Sequence, residues 1–421
     1  MRQIPILTIL LACLTTVTGA LLLGTAATGG FSSEGPSLDQ FLRTREADGG
    51  RTLVLDIASQ TYEPAEDAQP VVHLVAAVHV GSASYYRDLQ TLLDECDLVL
   101  FEGVAPYGAG AWQPGNDDQR RQLTRMRLRS LAAAVFGYWQ QHGEAPASLE
   151  ALADAGSADE AALLSVLRND GWGRAIVYLP PSEADKGAIM SLGADGVEGG
   201  EGTDADIRFA DLPPLSGAEK GSARGIQDKL ARALGLQFQL NAIDYDRDHF
   251  LRADMSMDEV ERALEARGVL ADDLFGLLNG SSPLAKIADL LFGLLRLSNT
   301  MQETVRAIII KVVSLSDELM AASAAEQGDL MKVLIDDRNE RVMEIFKKTL
   351  AGRDVESIAI FYGAGHLPDL ATRLERDFDY RPGARRWFTA FSADLSRTGM
   401  TAEQLDALVD QALEQMRAQS R

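Results

Sequence analysis

Cysteine is nearly absent from this chain. Only Cys13 and Cys96 occur in 421 residues, and Cys13 lies in the N-terminal apolar segment, so the rest of the chain cannot build a disulfide framework. Cys96 is flanked by Glu95 and Asp97. Nothing there lowers a thiol pKa, and it reads as a small buried hydrophobe, not a nucleophile. Histidine is almost as scarce: His73, His79, His142, His249 and His366 are all there are, which confines imidazole chemistry to a few positions. Basic residues are outnumbered, 40 Lys and Arg against 62 Asp and Glu, for a formal net charge of −22 and a pI of about 4.6. Without a basic footprint the chain is not expected to bind nucleic acid; an acidic surface stays soluble and attracts cations. Long apolar runs are missing too, with one exception. Arg2 is followed by an apolar stretch to Leu23 and the small residues Thr25-Ala26-Ala27, so residues 1–30 read as an export signal nearly long enough to stay as an anchor. Ile287–Val313 is interrupted by Asp289, Arg296, Glu303, Arg306 and Lys311. Membrane contact is therefore expected only through the N-terminal segment.

What is present is globular. Hydrophobic residues make up 46% and charged residues 24% of a chain long enough for two or three domains. The most informative stretch is Val71–Gly103. Its apolar, β-branched run Val71–Val80 predicts a buried strand with His79 and Gly81 at the carboxyl end. A helix over Tyr85–Glu95 and a second strand, Leu98–Phe101, deliver Glu102 at that strand's own end. Ligands collect at strand carboxyl ends in such strand–helix–strand units. His79 and Glu102 are thus expected as neighbours at one edge of a parallel sheet. A late strand, Ser357–Tyr362, runs into Gly363-Ala364-Gly365-His366 and would bring His366 near if both halves of the chain share a sheet. A His–Glu–His set with an open position suits a divalent transition metal that activates water. His73 alternates in phase with His79 but reads as a satisfied core residue.

Four features in order, the strand with AAVH at its end, the strand ending in Glu102, the helical pair Arg338-Asn339 in LIDDRNERVMEIF and the late GAGHLPDL, resemble the TraB/Tiki (GumN-like) family of metal-dependent hydrolases. The resemblance covers Thr52–Gly108 and Leu230–Arg386, with Ala76 where the family's first motif has Gly. It implies catalytic roles for His79, Glu102, Arg338, Asn339 and His366, with His79, Glu102 and His366 as ligands of a divalent transition metal. Arg338 would bind a substrate carboxylate or an oxyanion, and Asn339 would orient a ligand.

Between these halves, Gln119–Ser216 reads as an inserted module after the Gly/Pro-rich linker Ala105–Asn116. A helix, Leu123–His142, is followed by EAPASLEAL, NDGWGRAIVYLPP and AIMSLGADGVEGGEGTDADIRFADLPP. Together these resemble the globular part of the major pseudopilin of type II secretion systems, with Gly171 standing where that family has Pro. Carboxylates on a glycine-rich backbone suit calcium. The resemblance implies a calcium site made by the Leu192 carbonyl and by Asp195, Asp204 and Asp206. The pseudopilin's own N-terminal helix pattern is missing, so the chain reads as having borrowed the module.

The expected architecture is an α/β domain with a mixed or parallel central sheet and many flanking helices, assembled from Thr52–Gly108 and Ile226–Ser396. It carries a small inserted α+β domain and ends in a helix within Met400–Arg421. Two functional readings stay open. One is an exported metal-dependent hydrolase acting on an unidentified peptide or small molecule. The other is a non-catalytic envelope scaffold whose inserted module contacts another envelope protein.

Overall fold

A computed structural model describes residues 36–419 except 66–68, 111–112, 183–185, 214–229, 270–294, 296–297, 315–328 and 353. The N-terminal segment of residues 1–30 and the helix expected over Leu270–Leu278 lie outside the described residues. The first elements are β1 (Leu42–Ala47), β2 (Thr52–Pro64), β3 (Val71–Ala77), β4 (Val80–Gly81), α1 (Ala83–Asp94) and β5 (Leu98–Phe101). Then come α2 (Asp117–His142), α3 (Leu149–Asp154), α4 (Ala158–Leu167), β6 (Val177–Leu179), β7 (Ala188–Ser191) and β8 (Ile207–Arg208). The chain continues through β9 (Gln237–Phe238), β10 (Phe250–Arg252), α5 (Met257–Ala266), α6 (Asn299–Ser314) and α7 (Arg338–Gly352). It closes with β11 (Ser357–Gly363), α8 (Leu367–Phe378), β12 (Tyr380–Asp394) and α9 (Ala402–Gln419). These elements form two compact units: residues 1–101, 216–244 and 267–421, and residues 102–215 with 245–266.

The first unit is a mixed sheet flanked by helices. β3 and β11 pair in parallel, with Val71 opposite Ser357 and Ala77 opposite Gly363. β11 also pairs in parallel with β5, Ile358 opposite Leu98 through Phe361 opposite Phe101. The late strand therefore lies between the two early ones, and β3 and β5 are not the direct neighbours that their sequence order suggests. The three strands are apolar almost throughout and β11 is fully buried beyond its first residue, as a strand covered on both faces must be. β2 is long enough to pair antiparallel with β12 on one edge and with β1 and then β3 on the other. The expected strand to Val80 breaks at Val78 and His79, and resumes as β4, which pairs with β9. α1 starts where Ser82 Oγ accepts the Tyr85 N–H at 3.2 Å, a serine N-cap. It buries Tyr85, Tyr86, Leu89, Leu92 and Leu93 along one stripe.

Two expectations fail for physical reasons. Residues 32–50 read as a polar connection, yet Leu42–Ala47 is a strand: its side chains include Arg43 and Arg45, which bond the buried Asp56 of β2. Trp387–Phe391, apolar enough to read as a strand by itself, is part of β12, Tyr380–Asp394, whose exposed first half carries Arg, Pro and Gly without apolar alternation and so gives no strand signal.

The second unit has its own core of Leu128, Leu131, Leu152, Leu164, Ile176 and Ile207, closed by the antiparallel sheet β6–β7–β8. α2 is capped by Asn116, whose Oδ1 accepts the Gln119 N–H at 2.9 Å, and ends at left-handed Gly143. α4 begins with a reciprocal Ser157–Glu160 capping box. Residues 245–266 are stitched to the same unit. Ala105 exchanges backbone hydrogen bonds with Met255 and Met257, both 2.9 Å, and Arg252 pairs with buried Asp159 at 3.0 Å. Among the described residues no helix is long and apolar enough to cross a membrane.

Candidate functional site

Because Ala77 and Gly363 are register partners, His79 and His366 leave the same end of adjacent parallel strands. On the β3 side, Tyr86 Oη donates to the Val78 carbonyl at 2.8 Å, and the His79 carbonyl accepts the Gln239 N–H at 2.9 Å. The half-buried His79 ring thus sits on a main chain held from two sides. Gly81 is required beside it: a Cβ there would meet the Tyr85 ring at 2.6 Å.

On the β11 side, His366 ends the turn Ala364–His366 and is fully buried. Its Nδ1 lies 2.7 Å from Asn339 Oδ1. The Asn339 amide nitrogen donates to the His366 carbonyl at 3.1 Å and to Asp369 Oδ2 at 2.9 Å. Both of those partners are acceptors, which fixes the amide orientation and turns Oδ1 toward the imidazole. A carboxamide oxygen only accepts, so His366 Nδ1 carries a proton, and any proton exchange by the ring falls to Nε2. Asp369 in turn accepts from Arg373 Nε at 2.6 Å. Arg338, nearly buried, donates to the Leu334 carbonyl at 3.3 Å. It follows the π-helical turn Lys332–Asp337, a form common at functional sites. Burial, and next the nearby Asp369 charge, push the Asp336 carboxyl above the usual range.

The structure thus joins His366 to Asn339 directly and adds Asp369, which the sequence reading passed over. Its signal was available: Asp369 lies one helical turn beyond His366, on the same face. Glu102 is the first residue of the second unit and half-buried. Among the described residues no three or more His, Cys, Asp or Glu side chains gather as a metal site. His73 meets Thr61 Oγ1 at 3.2 Å within the sheet. Burial, with the Asp97 and Glu95 charges, pushes the Cys96 thiol up to about 12, which disfavours the thiolate.

In the second unit the expected calcium ligands lie on one loop. Asp195, exposed, accepts the Val197 N–H at 3.0 Å. Asp206 accepts the Gly199 N–H at 3.2 Å and lies 3.5 Å from Arg208. A resident cation, the Arg208 guanidinium, therefore already faces one of these carboxylates. Nearby, Asp170 organises the loop between α4 and β6. Its Oδ1 accepts the N–H groups of Trp172 and Arg174, both at 2.9 Å, and its Oδ2 accepts the Ser191 hydroxyl at 2.6 Å. Gly171 has no room for a side chain, since a Cβ would overlap the Arg120 carbonyl of α2.

Taken by fold, the molecule is a mixed α/β protein carrying a small α+β module. Residues 114–210, within that module, match the family of type II secretion system protein G. The type II secretion system core protein G of Xanthomonas campestris pv. campestris is 28% identical over 116 residues, which are 27% of this chain and 81% of that protein. That of Vibrio cholerae serotype O1 is 46% identical over 48 residues, 11% of this chain and 33% of that protein. No solved structure matches the chain. The family match covers 97 of the 421 residues, 114–210.

Proposed function

We propose that the chain is a secretion-related component of the cell envelope, exported or anchored through its N-terminal segment, whose second unit contacts another envelope protein. The match of residues 114–210 to type II secretion protein G carries this reading. Phe136 and Trp139 on α2 supply a contact surface: they are 55% and 49% exposed and stacked at 5.6 Å. Exposed aromatic pairs of this kind mark interaction sites. The test is binding of the purified chain to the host's own protein G pseudopilin. Binding should weaken roughly tenfold in a Phe136→Ser, Trp139→Ser variant. No measurable association, together with unchanged secretion in a deletion strain, would overturn the reading. Calcium on the Leu192–Asp206 loop belongs to the same proposal. The melting temperature of the module should rise with millimolar calcium by mass action, and Asp206→Asn should remove the rise.

A second reading, a hydrolytic first unit of TraB/Tiki type acting on a peptide or small molecule, is supported by the buried His366–Asn339–Asp369 chain at the end of β11. With Nδ1 anchored by Asn339, His366 takes a proton at Nε2 from water or a hydroxyl group, and Arg338, next to Asn339 in sequence, is the cationic group of this reading. Metal content and peptide hydrolysis should be compared for the native chain and His366→Ala. Equal activity in the two would remove this reading while leaving the first one standing.

A further inference from the structure

A cavity of about 480 Å³ opens beside β12. Its wall takes in four consecutive residues, Arg386, Trp387, Phe388 and Thr389. Successive side chains leave a strand on opposite faces, so a cavity on one face would be lined by alternate residues. A consecutive run places it along the strand's edge. Among the described residues β12 pairs only with β2, so this is the edge no strand covers. Toward and beyond the end of the cavity, where Phe391 and Ser392 also line it, the N-cap residue of α1 and a side chain of α6 meet the main chain of β12. Ser82 donates its N–H to the Ala390 carbonyl at 2.7 Å, and Glu303 Oε2 accepts the Asp394 N–H at 2.9 Å. From Arg386 to Thr389 the cavity takes the place of such partners.

The charge of the cavity is opposite to that of the chain. Two arginines line it, Arg306 and Arg386, against one carboxylate, Asp88, in a protein of net charge −22. Arg306 is held by the Leu234 carbonyl at 2.9 Å and by Glu303 at 3.3 Å. Arg386 is exposed, its guanidinium 4.6 Å over the Phe388 ring, and it forms no ion pair among the described residues.

We propose that this cavity receives an extended acidic peptide segment of a partner protein, added to the open edge of β12 as a further strand. Alternating donors and acceptors on a strand edge match an extended main chain, which a small anion cannot supply. Arg386 takes a carboxylate of the incoming segment through charge-assisted hydrogen bonds, while Trp387, on the opposite face of the strand, gives apolar contact to the residues between the carboxylates. The inference is independent of the chemistry at His366 and of the Phe136–Trp139 surface.

The test is calorimetric titration of the full chain with three capped hexapeptides: alternating valine and glutamate, alternating valine and lysine, and the glutamate peptide N-methylated at alternate residues. The glutamate peptide should bind, with an affinity that falls as salt rises. Binding should drop roughly tenfold in Arg386→Glu and be recovered in part by Arg386→Lys. The N-methylated peptide should fail, since its main chain cannot pair with the edge. Absence of binding at millimolar peptide, equal binding of the lysine peptide, an Arg386→Glu variant that binds as the native chain does, or undiminished binding of the N-methylated peptide would each overturn the proposal.

Discussion

Asn339 decides which nitrogen of His366 carries the proton. Its amide is locked by two acceptors, and the tautomer follows from that lock. Asn339→Leu would leave a buried Nδ1–H without its acceptor, a loss of about 1–3 kcal/mol, read as a lower urea midpoint. Long-range nitrogen–proton correlation spectra should show the Nδ1-protonated ring in the native chain and a mixture of tautomers in the variant. An unchanged tautomer would mean that another group orients the ring. His73 offers a pH test of the sheet. Burial lowers its pKa, with Glu95 acting in the opposite direction. A histidine pKa lower in the folded than in the unfolded state contributes stability that is present above the unfolded value, near 6.5. That contribution is lost as pH falls through the folded value. Stability should therefore decline from pH 7 toward pH 5, and less steeply in His73→Gln.

Among elements, the contact between α2 and the Asp170–Arg174 turn is the tightest test of the second unit. The resembling pseudopilins have Pro where this chain has Gly171, and here a ring would overlap the Arg120 carbonyl. Gly171→Pro should destabilise the unit by about 1–3 kcal/mol or more, measured by thermal unfolding. A neutral outcome would mean that α2 can draw back from the turn. The elements also show what the sequence can reveal. Leu98–Phe101 matches its strand to the residue, and α1 is displaced by only a residue or two, because buried apolar strings and helical stripes are unambiguous signals. β1 escaped since its exposed side chains, Arg43, Arg45 and Glu46, resemble those of a linker. The pairing of Arg43 and Arg45 with Asp56 depends on two strands at once, and no single stretch contains it.

At the scale of the molecule, the α/β architecture and the module with its own core were legible from motif order. The position of β11 between β3 and β5 was not, because strand order within a sheet is set by packing across the whole chain. The same holds for the candidate site. His366 and Asn339 stood out by their neighbours in sequence; Asp369 shares a helical face with His366, but its bond to Asn339 joins two segments distant in sequence and no single stretch contains it.

That interleaving also fixes when the molecule can be finished. β3 and β5 each take a partner from residues 357–363, so a ribosome releases most of the chain before the middle of the sheet exists. Contacts this distant in sequence make folding slow. Refolding from urea should therefore take on the order of seconds or longer, and a chain truncated before Ser357 should remain protease-sensitive and bind a holdase chaperone. A millisecond single-phase recovery would contradict this. If the chain is exported, as proposed above, late closure would keep it transportable until its last strands emerge.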